Sequence, residues 1–151
     1  MIISFCGHAN FSKTSEYEKR LLNFFEENIG DLATDFYLGG YGEFDDFAYE
    51  CCKKYKTTHL RVSLIFVTPY ITVDYQKRHL KLQKERYDEI IYPGIEDKPL
   101  KLAICYRNKW MIEKADYFVC GISHEWGGAY KTYQHAKRKR KMIFNITGKE
   151  F

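Results

Sequence analysis

The chain reads as an α/β protein built on an open, mainly parallel sheet with helices on both faces. Three observations predict this. Short apolar runs of strand length alternate with longer stretches of helical periodicity along all 151 residues, and such alternation implies right-handed parallel crossovers. The run from Val62 to Val67 is almost continuously apolar, as expected of a strand covered on both faces. Two glycine pairs, Gly39-Gly40 and Gly127-Gly128, each stand between a strand-like run and a helix-like run, where a missing Cβ eases the turn into a helix.

The elements follow in order. Ile2 to Cys6 is a short apolar run ended by Gly7, and from Ser15 to Ile29 the residues Tyr17, Leu21, Leu22, Phe24, Phe25 and Ile29 form a helical stripe. Thr34 to Leu38 is the second strand. Glu43 to Tyr55 is the second helix, with Phe44, Phe47, Ala48, Cys51 and Cys52 near one face. Pro69 ends the third strand. The polar, basic stretch from Tyr75 to Tyr87 reads as a short helix or a mobile loop, and Glu89 to Tyr92 as a fourth strand. Leu100 to Lys114 is helical, Tyr117 to Cys120 a strand, Gly128 to Lys139 the last helix and Met142 to Ile146 the last strand. No composition break marks a linker, so residues 1–151 are expected to form a single domain.

Composition excludes some classes. Hydrophobic residues make up 45% and charged residues 29%, as in soluble proteins, and no apolar stretch is long enough to span a membrane. The start, MIISFCGHANFS, lacks a basic region and reads as a buried strand rather than a signal peptide, so the expected location is cytoplasmic. Five cysteines have no metal-ligand spacing, which predicts buried free thiols, no disulfide, no metal and no cofactor. Net charge is +4, and much of the excess lies in Lys137, Arg138, Lys139, Arg140 and Lys141. At a helix end, that run opposes the negative pole of the macrodipole and solvates the surface. The reading therefore ranks nucleic acid low among the partners. Trp126, Tyr130 and Tyr133 surround the second glycine pair and could stack on a base or fill the core.

Every unusual segment follows a strand: Gly7-His8-Ala9-Asn10, Gly39-Gly40, Thr68-Pro69-Tyr70 and Gly127-Gly128. In a parallel sheet these loops share the carboxyl edge, where ligands bind near the switch in strand order. Free N–H groups at a helix start suit an anion, usually a phosphate. Cys6 and His8 are two apart near the end of a strand, an arrangement that fits nucleophilic catalysis poorly.

CGH at the first strand, LGGYGEFDDFA after the second, and RNKWMIEKADYFVCG leading into GGAYKTYQHAKRKRKMIFNI resemble the SLOG superfamily, and in it the small YpsA-like branch. The resemblance covers nearly the whole chain and implies a Rossmann-like fold. Relatives in that superfamily include cytokinin-activating phosphoribohydrolases, molybdenum-cofactor carriers and the DNA-processing protein DprA. Some SLOG domains serve bacterial defence effectors as sensors of cyclic ADP-ribose-type signals.

The resemblance assigns ligand contacts to Gly7 and His8, to Gly39, Gly40, Phe44 and Asp45, to Arg107 and Asn108, and to Gly127, Gly128 and Thr132, while Thr68 is a candidate contact from its place in the loops of the carboxyl edge. Asp45 could equally cap its helix. Two departures stand out. Glu43 replaces a small residue and would repel an anion, and Ala129 replaces a threonine. Gln134 stands where phosphoribohydrolases place the catalytic glutamate, and an amide cannot act as a general base near neutral pH. The expected function is therefore non-catalytic sensing or sequestering of a nucleotide or nucleotide-sugar ligand, of the ADP-ribose or cyclic-nucleotide type. Two alternatives stay open: a nucleoside 5′-monophosphate phosphoribohydrolase, and a DNA-binding accessory that uses the basic helix end. Relatives commonly pair, so a homo-oligomer stays open beside a monomer, with the face around Trp110 and Met111 serving either an interface or the core.

Overall fold

The computed structural model describes residues 1–151. Six parallel strands form one sheet in the order β4-β3-β2-β1-β5-β6. The strands are β1 (Ile2–Gly7), β2 (Thr34–Leu38), β3 (Val62–Val67), β4 (Glu89–Ile91), β5 (Tyr117–Gly121) and β6 (Met142–Asn145). The chain builds outward from β1 to β4, then crosses to β5 on the other side of β1. The switch in strand order therefore lies between β1 and β5, whose register brings Gly7 opposite Gly121.

Helices α1 (Ser15–Asn28) and α2 (Glu43–Lys56) cover one face. Thr14 caps α1 by accepting the Tyr17 N–H, and the aromatic stripe read from the sequence buries Leu21, Phe24 and Phe25 there. Phe5, Phe25 and Phe36 meet edge-on or tilted at 4.9–6.1 Å between ring centroids, so this core is largely interlocked rings. Helices α5 (Ala103–Lys114) and α6 (Gly128–Arg138) cover the opposite face. Ser4, fully buried in β1, ties α5 down by donating to the Met111 carbonyl at 2.8 Å. Met111 belongs to the core, and Trp110 stacks on Tyr37 at 5.7 Å.

Between β3 and β4 the basic stretch is helical throughout. It comprises α3 (Val73–Tyr75), a π-helical turn (Gln76–Leu80) and α4 (Lys81–Arg86). Thr72 starts it by accepting the Tyr75 N–H. A 3-10 turn, Leu100–Leu102, leads into α5. Four of the five cysteines are buried, and burial pushes the Cys6 thiol up to about 12, which removes it as a nucleophile near neutral pH. No helix is long and apolar enough to cross a membrane.

Candidate functional site at the carboxyl edge of the sheet

All four unusual loops emerge at the same edge, because every strand is parallel. They are built differently.

At the first glycine turn, the side chain that enters the sheet is Phe44. A Cβ on Gly7 would lie 2.2 Å from its ring, and one on Gly121 would lie 2.5 Å away. These paired glycines thus form a flat floor for a ring that is fully buried. Gly7 and Phe44 owe their identity to each other, which corrects their assignment as ligand contacts. Gly40, at φ +61°, lies under Phe66, 2.7 Å from where a Cβ would stand. The residue before the helix is Gly42, not Gly39-Gly40, with φ 91° and ψ 178°. Its Cβ position is filled by Ala9, whose Cα lies 2.6 Å away. The Ala9 carbonyl accepts the Glu43 N–H at 2.8 Å, and the Glu43 carboxylate accepts the Phe11 N–H at 2.9 Å. The loop after β1 therefore plugs the start of α2.

Arg107 and Asp45 lie behind this turn. Arg107 is 1% exposed. Its Nη1 donates to the carbonyls of Gly39 and Val67 at 2.9 and 2.7 Å, and its Nε donates to Asn108 Oδ1 at 2.8 Å. The guanidinium joins the ends of β2 and β3, a structural role that corrects the ligand contact expected of it. Burial pulls its pKa down, while nearby Asp45 pushes it up. Gly39 makes room for both side chains, since a Cβ there would lie 3.1 Å from each. Asp45 Oδ2 accepts the Tyr41 N–H at 2.9 Å, so Asp45 fixes the turn, and Oδ1 is buried without a partner. Burial raises this carboxyl to about 7, against the lowering effects of the Tyr41 N–H and Arg107. Thr68 shapes the turn after β3, donating to the Tyr70 carbonyl and accepting the Tyr70 N–H. Asn108 also donates to Cys6 Sγ at 3.8 Å.

The second glycine turn is open. Gly127 precedes α6 with φ 90° and ψ 175°, almost the backbone of Gly42. Apart from adjacent residues and the helix's own backbone, no atom lies within 4 Å of a Cβ built on Gly127 or Gly128. No side chain caps α6 and no acidic residue occupies its first turn, so the N–H groups of Gly128, Ala129 and Tyr130 are without an intrahelical or capping partner. Thr132 is buried and donates to the Gly128 carbonyl at 3.1 Å, holding the turn from below. Gln134 is exposed on α6 and reaches only the Tyr130 hydroxyl, at 3.4 Å.

Beside this turn, over the β1/β5 switch, three rings stack. His8, held by its N–H donating to the Gly121 carbonyl at 3.3 Å, lies 3.6 Å from His124 at 13° between planes. His124 lies 3.5 Å from Trp126 at 21°. His8 is 6% exposed and Trp126 is 68% exposed, so the pile rises from the core into solvent. Burial, then His124, lowers the His8 pKa and keeps the ring neutral. Lys149 Nζ donates to the Ser123 carbonyl at 3.1 Å, putting a cation next to the stack. Sequence reading noticed Trp126 but missed His124, whose only signal was its position just before the open turn.

A separate groove of about 1310 Å³ between α1 and α2 is lined by acidic Glu43, Asp46 and Glu50 and basic Lys13, Lys53 and Lys54. None of the residues at the open turn reaches it. Three of the five cations at the basic end of α6 engage their own chain: Lys137 donates to the Phe151 carbonyl, Lys141 to the carbonyls of Glu113 and Ala115, and Lys139 pairs with Glu113 at 3.9 Å.

Fold and edge together define a Rossmann-like α/β protein whose open loops gather at the strand-order switch. No protein-family model and no curated sequence matches the chain. Among solved structures it is similar to DNA processing protein A (DprA) from Streptococcus pneumoniae, with a TM-score of 0.66 and 16% identity over 95% of this chain and 49% of that one. It is also similar to DprA from Helicobacter pylori, a protein with a single-stranded DNA binding mode, with a TM-score of 0.63 and 16% identity over 96% of this chain and 64% of that one. The chain spans about half of the first and under two thirds of the second. At this identity the likeness shows the Rossmann-like fold expected from the sequence. These neighbours correct the expectation that put a small nucleotide-derived ligand first and ranked nucleic acid low: both are DNA-processing proteins, and one binds single-stranded DNA.

Proposed function

We propose that the protein binds single-stranded DNA at the carboxyl edge, with a base on Trp126 and a backbone phosphate at the start of α6. The observation that carries this reading is the solvent-facing ring pile of Trp126, His124 and His8 beside uncapped N–H groups. Single-stranded nucleic acids are held by stacking bases on aromatic faces and by donors to the phosphates. Each half of that requirement has residues here, within a few positions of each other in the chain. Trp126 supplies the ring, rigidly backed by two imidazoles. Gly127 and Gly128 admit the phosphate without a Cβ in its way, and the helix start favours its charge. Lys131 and Lys149 add screening cations. The likeness in fold to a protein that binds single-stranded DNA supports the same reading.

The test is fluorescence anisotropy with labelled oligo(dT) over a range of salt. Binding should weaken steeply as salt rises. Trp126→Ala should weaken it about fivefold to 150-fold, from roughly 1–3 kcal/mol per stacked base, without lowering Tm. An absence of binding at low salt would sink the reading.

A further inference from the structure

We infer that the helical segment between β3 and β4 is a second contact for the same DNA strand, with Lys77, Lys81 and Lys84 as a track for its backbone. This rests on the single-stranded DNA reading and extends it from a point of attachment to a path.

The segment from Val73 to Arg86 touches the body of the protein through few residues. Leu80 and Tyr87 are buried, Tyr75 and Gln83 are half-buried, and the remaining residues from Val73 to Arg86 are exposed. Lys77, Lys81 and Lys84, spaced four and three residues apart, lie along one flank beside that anchoring face. None of the three forms an ion pair or a side-chain hydrogen bond, although Glu85 is four residues from Lys81. The other cations of the segment are engaged: Arg78 pairs with Asp74 at 3.0 Å, and Arg86 lies 4.2 Å over the Tyr49 ring. A row of unpaired lysines on an otherwise weakly anchored helix stabilises nothing within the fold.

Placement supplies the occupant. The segment leaves the carboxyl end of β3, so Lys77 starts near the edge that carries Trp126, and the row then runs away from it toward the start of β4. From β5 to β3 is three strand spacings, about 14 Å along the edge, and the segment packs with α2 on the face of the sheet opposite α6, so the path is longer than about four stacked nucleotides at about 3.4 Å each. A strand seated on Trp126 thus crosses the carboxyl edge before it reaches the first lysine, and then meets point charges without directional demands. Such contacts suit a flexible polyanion.

Two oligonucleotides separate the platform from the track. A dT4 occupies the platform alone, whereas dT12 spans both. In the Lys77→Gln/Lys81→Gln/Lys84→Gln variant, the slope of log K against log salt for dT12 should fall by about 2, at roughly 0.7 per contact. Its dT4 affinity should match wild type. Circular dichroism should give the same Tm, since Gln keeps the helix propensity. An unchanged dT12 slope would overturn the track while leaving the platform standing, provided Trp126→Ala still weakens both oligonucleotides. Equal losses on dT4 and dT12 would also overturn it, as would lost binding to phosphatidylserine vesicles with dT12 unaffected. Wild type binding neither oligonucleotide would overturn platform and track together.

Discussion

The two glycine turns share a backbone and differ in what occupies them. Gly42 and Gly127 both precede a helix with φ near 90° and ψ near 180°, and both helices start at the same edge. At the first, the protein's own chain takes the place of a ligand: the Ala9 carbonyl receives the Glu43 N–H, and Ala9 packs where a Cβ would be. Three carboxylates, Glu43, Asp45 and Asp46, then fill the first turn of α2. At the second, the N–H groups are uncapped, the first turn holds no acid, and space is open. A glycine before a helix is therefore no measure of a binding site. Local charge and the neighbouring loop decide whether that backbone closes on itself or stays available.

The largest separation between the turns should come from Phe44→Ala. Removing a fully buried ring wedged on Gly7 and Gly121 should cost about 4 kcal/mol of stability, whereas Trp126→Ala at the open turn should leave stability almost unchanged. Urea unfolding of both variants checks this.

Gly42→Ala combines a left-handed φ with a clash against the Ala9 backbone, together about 3 kcal/mol, or roughly 10 °C in Tm. Gly127→Ala meets the same φ without the clash and should cost about 1–2 kcal/mol. Equal losses in calorimetry would mean that the first turn is not plugged as described.

Asp45 gives the closed turn a pH signature. Its carboxyl is raised from 3.8 to about 7 by burial, so between those values the unfolded chain binds fewer protons than the folded one. The stability this group contributes is present below about pH 4 and lost as pH rises through about 7. Asp45→Asn keeps an acceptor for the Tyr41 N–H and removes the buried charge. It should be about 2 kcal/mol more stable than wild type at pH 8, with no advantage at pH 4. The ring pile behaves oppositely: the lowered His8 pKa makes its contribution fall as pH drops below about 6.5. Chemical denaturation of wild type, Asp45→Asn and His8→Phe across pH 4–8 separates the two.

The smallest effect belongs to Lys131→Gln, which should lower the salt slope of oligonucleotide binding by about 0.7 without changing stability. No change in slope would place the phosphate away from α6.

Most of the fold was legible in the sequence because strand and helix periods are local. The aromatic stripe of α1, the apolar run of β3 and the alternation of elements specified a parallel sheet, and the loops after each strand had to meet at one edge. The site was only partly legible. Gly127, Gly128 and His8 do border the open turn, but Phe44, Arg107 and Thr68, read as ligand contacts, proved to be buried parts of the framework. Motif spacing specifies which residues come near an edge without specifying which way each side chain points.

What the sequence determined by itself was therefore the order of the elements, their crossovers and the edge where the loops gather. Tertiary structure alone decided which glycine turn stays open, since that depends on Ala9 packing against Gly42 across 33 residues of chain. It also decided that His8, His124 and Trp126 form one pile, because their stacking follows from the adjacency of β1 and β5, strands separated by more than a hundred residues. Periodicity records how a residue sits in its own element. Contacts between elements depend on strand order and side-chain shape, which are set only when the sheet assembles.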